Sequence, residues 1–102
     1  MVEIKWTNFA IENLNDIGDY IEKDSFRYAE IVVEAFFCAA DILEQHPLAG
    51  RMVPEFEDEN IRELIRGSYR IVYRVLNEGR IDILTVHHSA QLFPNLPNLE
   101  LG

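Results

Sequence analysis

The spacing of apolar residues changes midway along this chain, and that change restricts its fold more than any other feature. Between residues 8 and 46 apolar side chains recur at three- and four-residue intervals. From Ile61 to Val86 they alternate with polar ones. The first period buries one stripe of a helix and the second buries one face of a strand. Helices followed by tightly connected strands read as an α+β domain.

The individual elements follow from the same pattern. Val2, Ile4 and Trp6 alternate with Glu3 and Lys5, which predicts a short N-terminal strand. Thr7 or Asn8 is placed to cap a helix with its side-chain oxygen. Ala10, Leu14, Ile17 and Ile21 then form one apolar stripe, and the helix is expected to end near Lys23. Asp24-Ser25 reads as the cap of a second helix. Its main stripe is Ala29, Val32, Val33, Phe36, Ala40 and Leu43. A further stripe runs through Ile31, Ala35, Cys38 and Ile42. A helix with one core-facing side needs one stripe. The second stripe therefore implies either a central helix packed on two sides or a groove left for a partner's helix. His46-Pro47 stops the helix, because the residue before proline disfavours the α region.

Residues 47–60 read as a loop, with Gly50, Pro54 and the acidic run Glu57-Asp58-Glu59. Ile61–Arg66, Tyr69–Leu76 and Ile81–Val86 are the expected strands of an antiparallel meander. Gly67-Ser68 is a two-residue hairpin turn with glycine where unusual backbone angles are needed. Asn77-Glu78-Gly79 is the second turn. Residues 1–93 form one domain, followed by a non-periodic tail over 94–102. The tail's Leu96, Leu99 and Leu101, with Leu92 and Phe93, are apolar enough to dock on the domain or on another chain.

Composition bears mainly on partners and location. The 102 residues carry a formal charge of −9, which is a handicap for holding phosphates. Direct nucleic-acid binding by this chain alone is disfavoured on that ground. The charge is uneven: residues 1–60 hold 14 acids and 4 bases, whereas residues 61–102 hold 4 acids and 5 bases, all arginines. The acidic half reads as a solvated face or as a surface for a basic partner. Cys38 is the only cysteine, which fits a reducing cytoplasm. No basic-then-apolar leader and no apolar run of membrane-spanning length is seen, so a cytoplasmic protein without a membrane partner is expected.

Arginines and histidines dominate the candidate chemistry. Arg70 and Arg74 share one face of a strand, and Arg62 and Arg66 share one face of its neighbour. Across a tight turn the four are expected to form a patch suited to phosphate or carboxylate, because a guanidinium donates two parallel bonds. The alternatives are a solvated face with Glu63 and Asp82 as local partners, or one arginine buried and paired. His87 and His88 are adjacent on a strand and point to opposite faces, so they do not readily share a metal. No cysteine or carboxylate spacing completes such a site, and no cofactor motif is present. Cys38 reads as packing among apolar neighbours.

Several strings together resemble the RelE/ParE superfamily of toxin–antitoxin toxins. They are Trp6 with Ala10, Leu14, Ile17 and Tyr20-Ile21; His46-Pro47 with Gly50-Arg51; Val53-Pro54-Glu55; Arg62-Glu63-Leu64; the run Tyr69 to Val75; and Ile83 to His88. They cover roughly residues 2–93. Each is weak alone, but their order and spacing are fairly specific, and the ParE branch is the nearer likeness. The resemblance implies an N-terminal strand, an α-helical hairpin and a three-stranded antiparallel meander. It also implies a cognate antitoxin as partner, with Ile31, Ala35, Cys38 and Ile42 suited to its docking.

Two activities follow from the two branches. ParE-type members bind and inhibit DNA gyrase, with Arg62, Arg66, Arg70 and Arg74 as the expected target-binding surface here. RelE-type members cleave mRNA on the ribosome. Carried over to this chain, that chemistry makes Glu55 the base, Arg70 the phosphate stabiliser and His87 or His88 the acid. The lysines and C-terminal tyrosine common in the nuclease branch are missing, and only two lysines are present at all. The gyrase binder is therefore the favoured reading. The nuclease and an inactive toxin-like interaction module are the alternatives. The chain departs from related sequences at Gln91, where they often carry an arginine.

Overall fold

A computed structural model describes residues 2–77, 79–91 and 93. Strand β1 (Glu3–Trp6) leads into α1 (Asn8–Glu22) and α2 (Phe26–Asp41). A 3-10 turn over Ile42–Glu44 follows α2. The remaining elements are β2 (Arg51–Met52), β3 (Ile61–Arg66), β4 (Tyr69–Asn77) and β5 (Arg80–His88). They form one sheet in the order β1-β5-β4-β3-β2. β1 lies parallel to β5, and the other pairings are antiparallel. The expected α+β arrangement and its meander are present. The expected loop over residues 47–60 is corrected in one respect, because Arg51–Met52 pairs with β3 as an edge strand. Two residues carry too little periodicity to mark a strand.

The caps fall on the expected residue types. The Thr7 hydroxyl accepts from the Ala10 N–H at 3.2 Å, satisfying one free donor of α1. It also donates to the Ile83 carbonyl at 2.8 Å, so the same side chain fixes the start of α1 against β5. Ser25 caps α2 by accepting from the Tyr28 N–H. Gly67 takes a φ of 58°, the left-handed region that glycine enters without a Cβ clash. Arg66 and Tyr69 pair directly across this turn, which sets the register of the whole hairpin.

That register divides the sheet into two faces. Leu64, Ile71, Tyr73, Ile81, Ile83 and Val86 join Ala10 and Leu14 of α1 and Phe36, Ala39 and Ala40 of α2 in the main core. Val53, Ile61 and Val72 make a second, smaller cluster with Phe56, Leu84 and Phe93. The second cluster lies on the face away from the helices. A β-bulge supports this division: Val72 pairs with Thr85 and Tyr73 with Ile83, leaving Leu84 without a partner on β4. Asn13 of α1 stabilises the bulged segment. Its Oδ1 accepts from the Thr85 hydroxyl at 2.6 Å and from the Val86 N–H at 3.1 Å.

The main stripe of α2 is at least half-buried throughout, as expected. The second stripe is not. Ile31, Ala35, Cys38 and Ile42 are all exposed, so α2 is packed on one side only. The expectation that Cys38 is core packing is thereby corrected; it faces solvent. Leu92 and the tail residues 94–102 lie outside the described residues.

Candidate functional site

The hairpin register separates the four arginines that were expected to form one patch. Arg62 sits opposite Tyr73 and Arg66 opposite Tyr69, on the helix side of the sheet. Arg70 sits opposite Ile65 and Arg74 opposite Ile61, on the other side. A two-residue turn places residues 66 and 69 in register, so residues 66 and 70 necessarily fall on opposite faces. The single four-arginine patch is therefore corrected to two pairs facing apart. Arg62 is further occupied locally, donating to the carbonyls of Glu59 and Gly50 at 2.9 Å each.

Arg70 is the buried member of the group, at 8% exposure. Its Nε donates to Oε1 of Glu63, which is itself 1% exposed. The two Nη atoms donate to the two oxygens of Glu55, each at 2.9 Å. The guanidinium is therefore held by two carboxylates, one deep and one superficial. Phe93 packs over it, with the ring centroid 5.3 Å from Cζ, a distance at which the cation and the ring face attract. Glu63 has a second partner, Arg51, whose Nε donates to Oε2 at 2.6 Å. Arg51 reaches it because β2 places it directly opposite Glu63.

The electrostatics follow from these contacts. The hydrogen bonds from Arg70 hold the Glu55 carboxyl down at about 2, against an ordinary value of 4.5. Arg70 is pushed in the opposite direction by the same bonds, so its charge is permanent. His87, paired with Arg70 across β4 and β5, is 6% exposed. Burial, reinforced by the Arg70 charge, pushes its imidazole below the ordinary 6.5. Among the described residues neither ring nitrogen of His87 has a hydrogen-bond partner. The ring packs edge-on against Phe93, with centroids 5.0 Å apart.

Three of the four residues expected for acid–base chemistry thus meet on one face: Glu55, Arg70 and His87. His88 does not join them. It turns to the helix side, packs against Tyr69 and accepts from the Ala90 N–H through Nδ1. Glu63 and Arg51 belong to the same cluster: the alternatives that Glu63 pairs locally with an arginine and that one arginine is buried and paired both hold at Arg70, whereas Arg51 was given no part in it. Glu63 lies on the same strand face as Ile61, two residues away, and that periodicity was the available signal for its burial. Among the described residues no group of three or more histidine, cysteine, aspartate or glutamate side chains is arranged to hold a metal ion.

The site is braced from behind by Gly50. Its N–H donates to the hydroxyl of the fully buried Tyr73 at 2.9 Å. A Cβ at this position would come within 2.5 Å of the Glu63 carbonyl oxygen. Glycine is required there by the close approach of two backbones.

The comparisons place this arrangement in a family. Residues 4–93 match the model for the ParE toxin of the type II toxin–antitoxin system parDE. The chain belongs to the ParE toxin family. It is 37% identical over 95 residues to a putative toxin, Y4kP, of Sinorhizobium fredii, covering 91% of this chain and 94% of that one. It is 28% identical over 92 residues to toxin RelE2 of Caulobacter vibrioides, covering 90% of this chain and the whole of that one. Among solved structures it resembles one of a chromosomal ParDE system from P. aeruginosa. The TM-score is 0.69 at 26% identity, over 86% of this chain and 96% of that one. It also resembles one of the toxin–antitoxin complex RelBE2 from Mycobacterium tuberculosis. There the TM-score is 0.54 at 28% identity, over 85% and 96% of the two chains. The fold and the ParE-family membership of this chain agree, and relatives named for both branches fall within its reach.

Proposed function

We propose that this ParE-family chain acts in the cytoplasm by binding a protein target, DNA gyrase, and that a cognate antitoxin neutralises it. The observation that carries this reading is the state of the acid–base trio. General base catalysis needs a group whose pKa lies near the working pH. Glu55, held at about 2, is far too weak a base for a ribose hydroxyl. Arg70, the would-be phosphate ligand, has one donor fixed on the buried Glu63, and a phosphate would have to displace Glu55 from the other two against the chain's own negative charge. A neutral His87 has no imidazolium proton to give to a leaving oxygen. The groups needed for cleavage are together but disarmed, and the net charge of −9 opposes a grip on RNA.

The antitoxin reading is supported by two observations. Structural neighbours were solved as toxin–antitoxin systems. In addition, Ile31, Ala35, Cys38 and Ile42 form an exposed apolar stripe, continued by Tyr28 at 57% exposure. Such a stripe suits the apolar face of a partner helix.

A gyrase supercoiling assay tests the target directly. Micromolar folded protein is expected to inhibit supercoiling, and full supercoiling at that concentration would refute the gyrase assignment. In the same preparation, ribosome-bound mRNA is expected to remain intact. Codon-linked cuts abolished by Arg70→Ala would instead establish the nuclease reading.

A further inference from the structure

The two carboxylates on Arg70 are not equivalent. Glu63 is buried within β3 and bonded to both Arg70 and Arg51, so it is fixed in place. Glu55 stands on the loop before β3, and its side chain is 41% exposed. It takes the two outward donors of the guanidinium, the bidentate positions that any incoming carboxylate would use. Beneath it lie Phe93, packed on the guanidinium, and Phe56, packed on Phe93 at 5.2 Å between centroids. His87 lies beside Arg70 on the same sheet face, buried, with two ring nitrogens that no described residue satisfies. A buried polar ring without a partner is uncommon and calls for an explanation.

We infer that Arg70, with His87 beside it, is a receptor for a carboxylate side chain of a protein partner, and that Glu55 is a built-in competitor that occupies the receptor until that side chain displaces it. The identity of the partner as a protein rests on the binding reading above, but the receptor itself does not need gyrase to be tested. Charge explains why a competitor is present. Arg51, Arg70, Glu55 and Glu63 together are neutral. With Glu55 swung out, the pocket carries one uncompensated positive charge in a half-apolar setting, where it attracts an anion strongly. The neutral imidazole of His87 can donate one N–H to the incoming oxygen. The fork already holds one carboxylate in bidentate fashion, so an exchange for a second leaves the geometry unchanged. A chain of charge −9 also repels polyphosphate more than a single acidic side chain. The exchange of Glu55 for an external carboxylate conserves the number of ion pairs, so binding is tuned by the loop rather than by new charge.

The test uses propionate, which carries the end of a glutamate side chain, and inorganic phosphate as separate probes. Arg70 side-chain N–H resonances are followed by NMR in the full-length wild type, Glu55→Ala and Glu55→Gln. Saturable shifts with propionate are expected at concentrations at least tenfold lower in Glu55→Ala than in wild type, with Glu55→Gln in between. In Glu55→Ala/Arg70→Lys, where the His87 ring resonances serve as the reporter, the propionate-induced shifts seen at that ring in Glu55→Ala should be lost. Equal responses in wild type and both Glu55 variants would overturn the competitor role. Saturation by phosphate but not propionate would overturn the carboxylate assignment. Because no gyrase is present, either failure is distinguishable from a failure of supercoiling inhibition.

Discussion

On the helix side of strands β3 to β5, alternate residues Leu64, Ile71, Tyr73, Ile83 and Val86 meet two amphipathic helices and need no polar partner beyond the Tyr73 hydroxyl. On the other side, their immediate neighbours Ile61, Glu63, Arg70, Val72 and His87 have no helix above them. That face is closed by the loop around Val53 to Phe56 and by Phe93, and an ion cluster sits inside it. The difference shows how one set of strands can serve two ends. Period-two alternation sends every second side chain to a face optimised for packing. The rest are free to build a buried polar site, provided its charges are paired.

The largest expected effect separates the two kinds of face. Glu63→Ala leaves Arg70 buried with half its partners and should lower stability by about 3–5 kcal/mol in urea unfolding. The apolar pair Glu63→Leu/Arg70→Met should recover most of that loss, because no charge remains to be desolvated. If the double variant is no more stable than Glu63→Ala, the far face is held by something other than paired charges. Gly50→Ala should cost about 1–3 kcal/mol, since neither the Glu63 carbonyl oxygen at 2.5 Å nor the Tyr73 ring at 2.9 Å can easily give way. A cost below a few tenths would mean that the two faces are not tied together at this residue.

Acid should act on the far face through His87 and Glu55. The folded-state pKa of His87 lies below its unfolded value of 6.5, so the unfolded chain binds the proton first. Its contribution to stability is complete above that value and is lost as pH falls through the folded pKa. The slope reaches at most about 1.4 kcal/mol per pH unit for one proton. Glu55 adds to the loss only as pH drops from 4.5 towards about 2. His87→Leu should flatten the fall in stability as pH drops below 6.5, and an unchanged slope there would assign the acid sensitivity elsewhere. The smallest effect is expected for Glu55→Ala. As a half-exposed pair it is worth about 1 kcal/mol or less, against several for Glu63 on the same arginine. Equal losses for the two would erase the distinction between the deep and the superficial carboxylate.

Much of this molecule could be read from residue order alone. Local rules decided the caps at Thr7 and Ser25, the turn at Gly67 and the run of strands after Ile61, because each depends on neighbours within about four residues. The resemblance carried by spaced strings led to the ParE family for the same reason: it is a property of order. Chain order also marked Arg70 and His87 as candidates, and Glu55 with them. It left open whether the second stripe of α2 was covered, and it joined four arginines that the register holds apart. Those matters were decided in three dimensions. Whether Arg66 and Arg70 share a face depends on which residues pair across Gly67-Ser68. The burial of Glu63 depends on Arg51 arriving on a two-residue edge strand twelve positions away. The state of Arg70 depends on Glu55 folding over it from a loop fifteen residues distant. Local propensity acts through adjacent residues, whereas ionisation and burial depend on what the rest of the chain brings within a few ångströms.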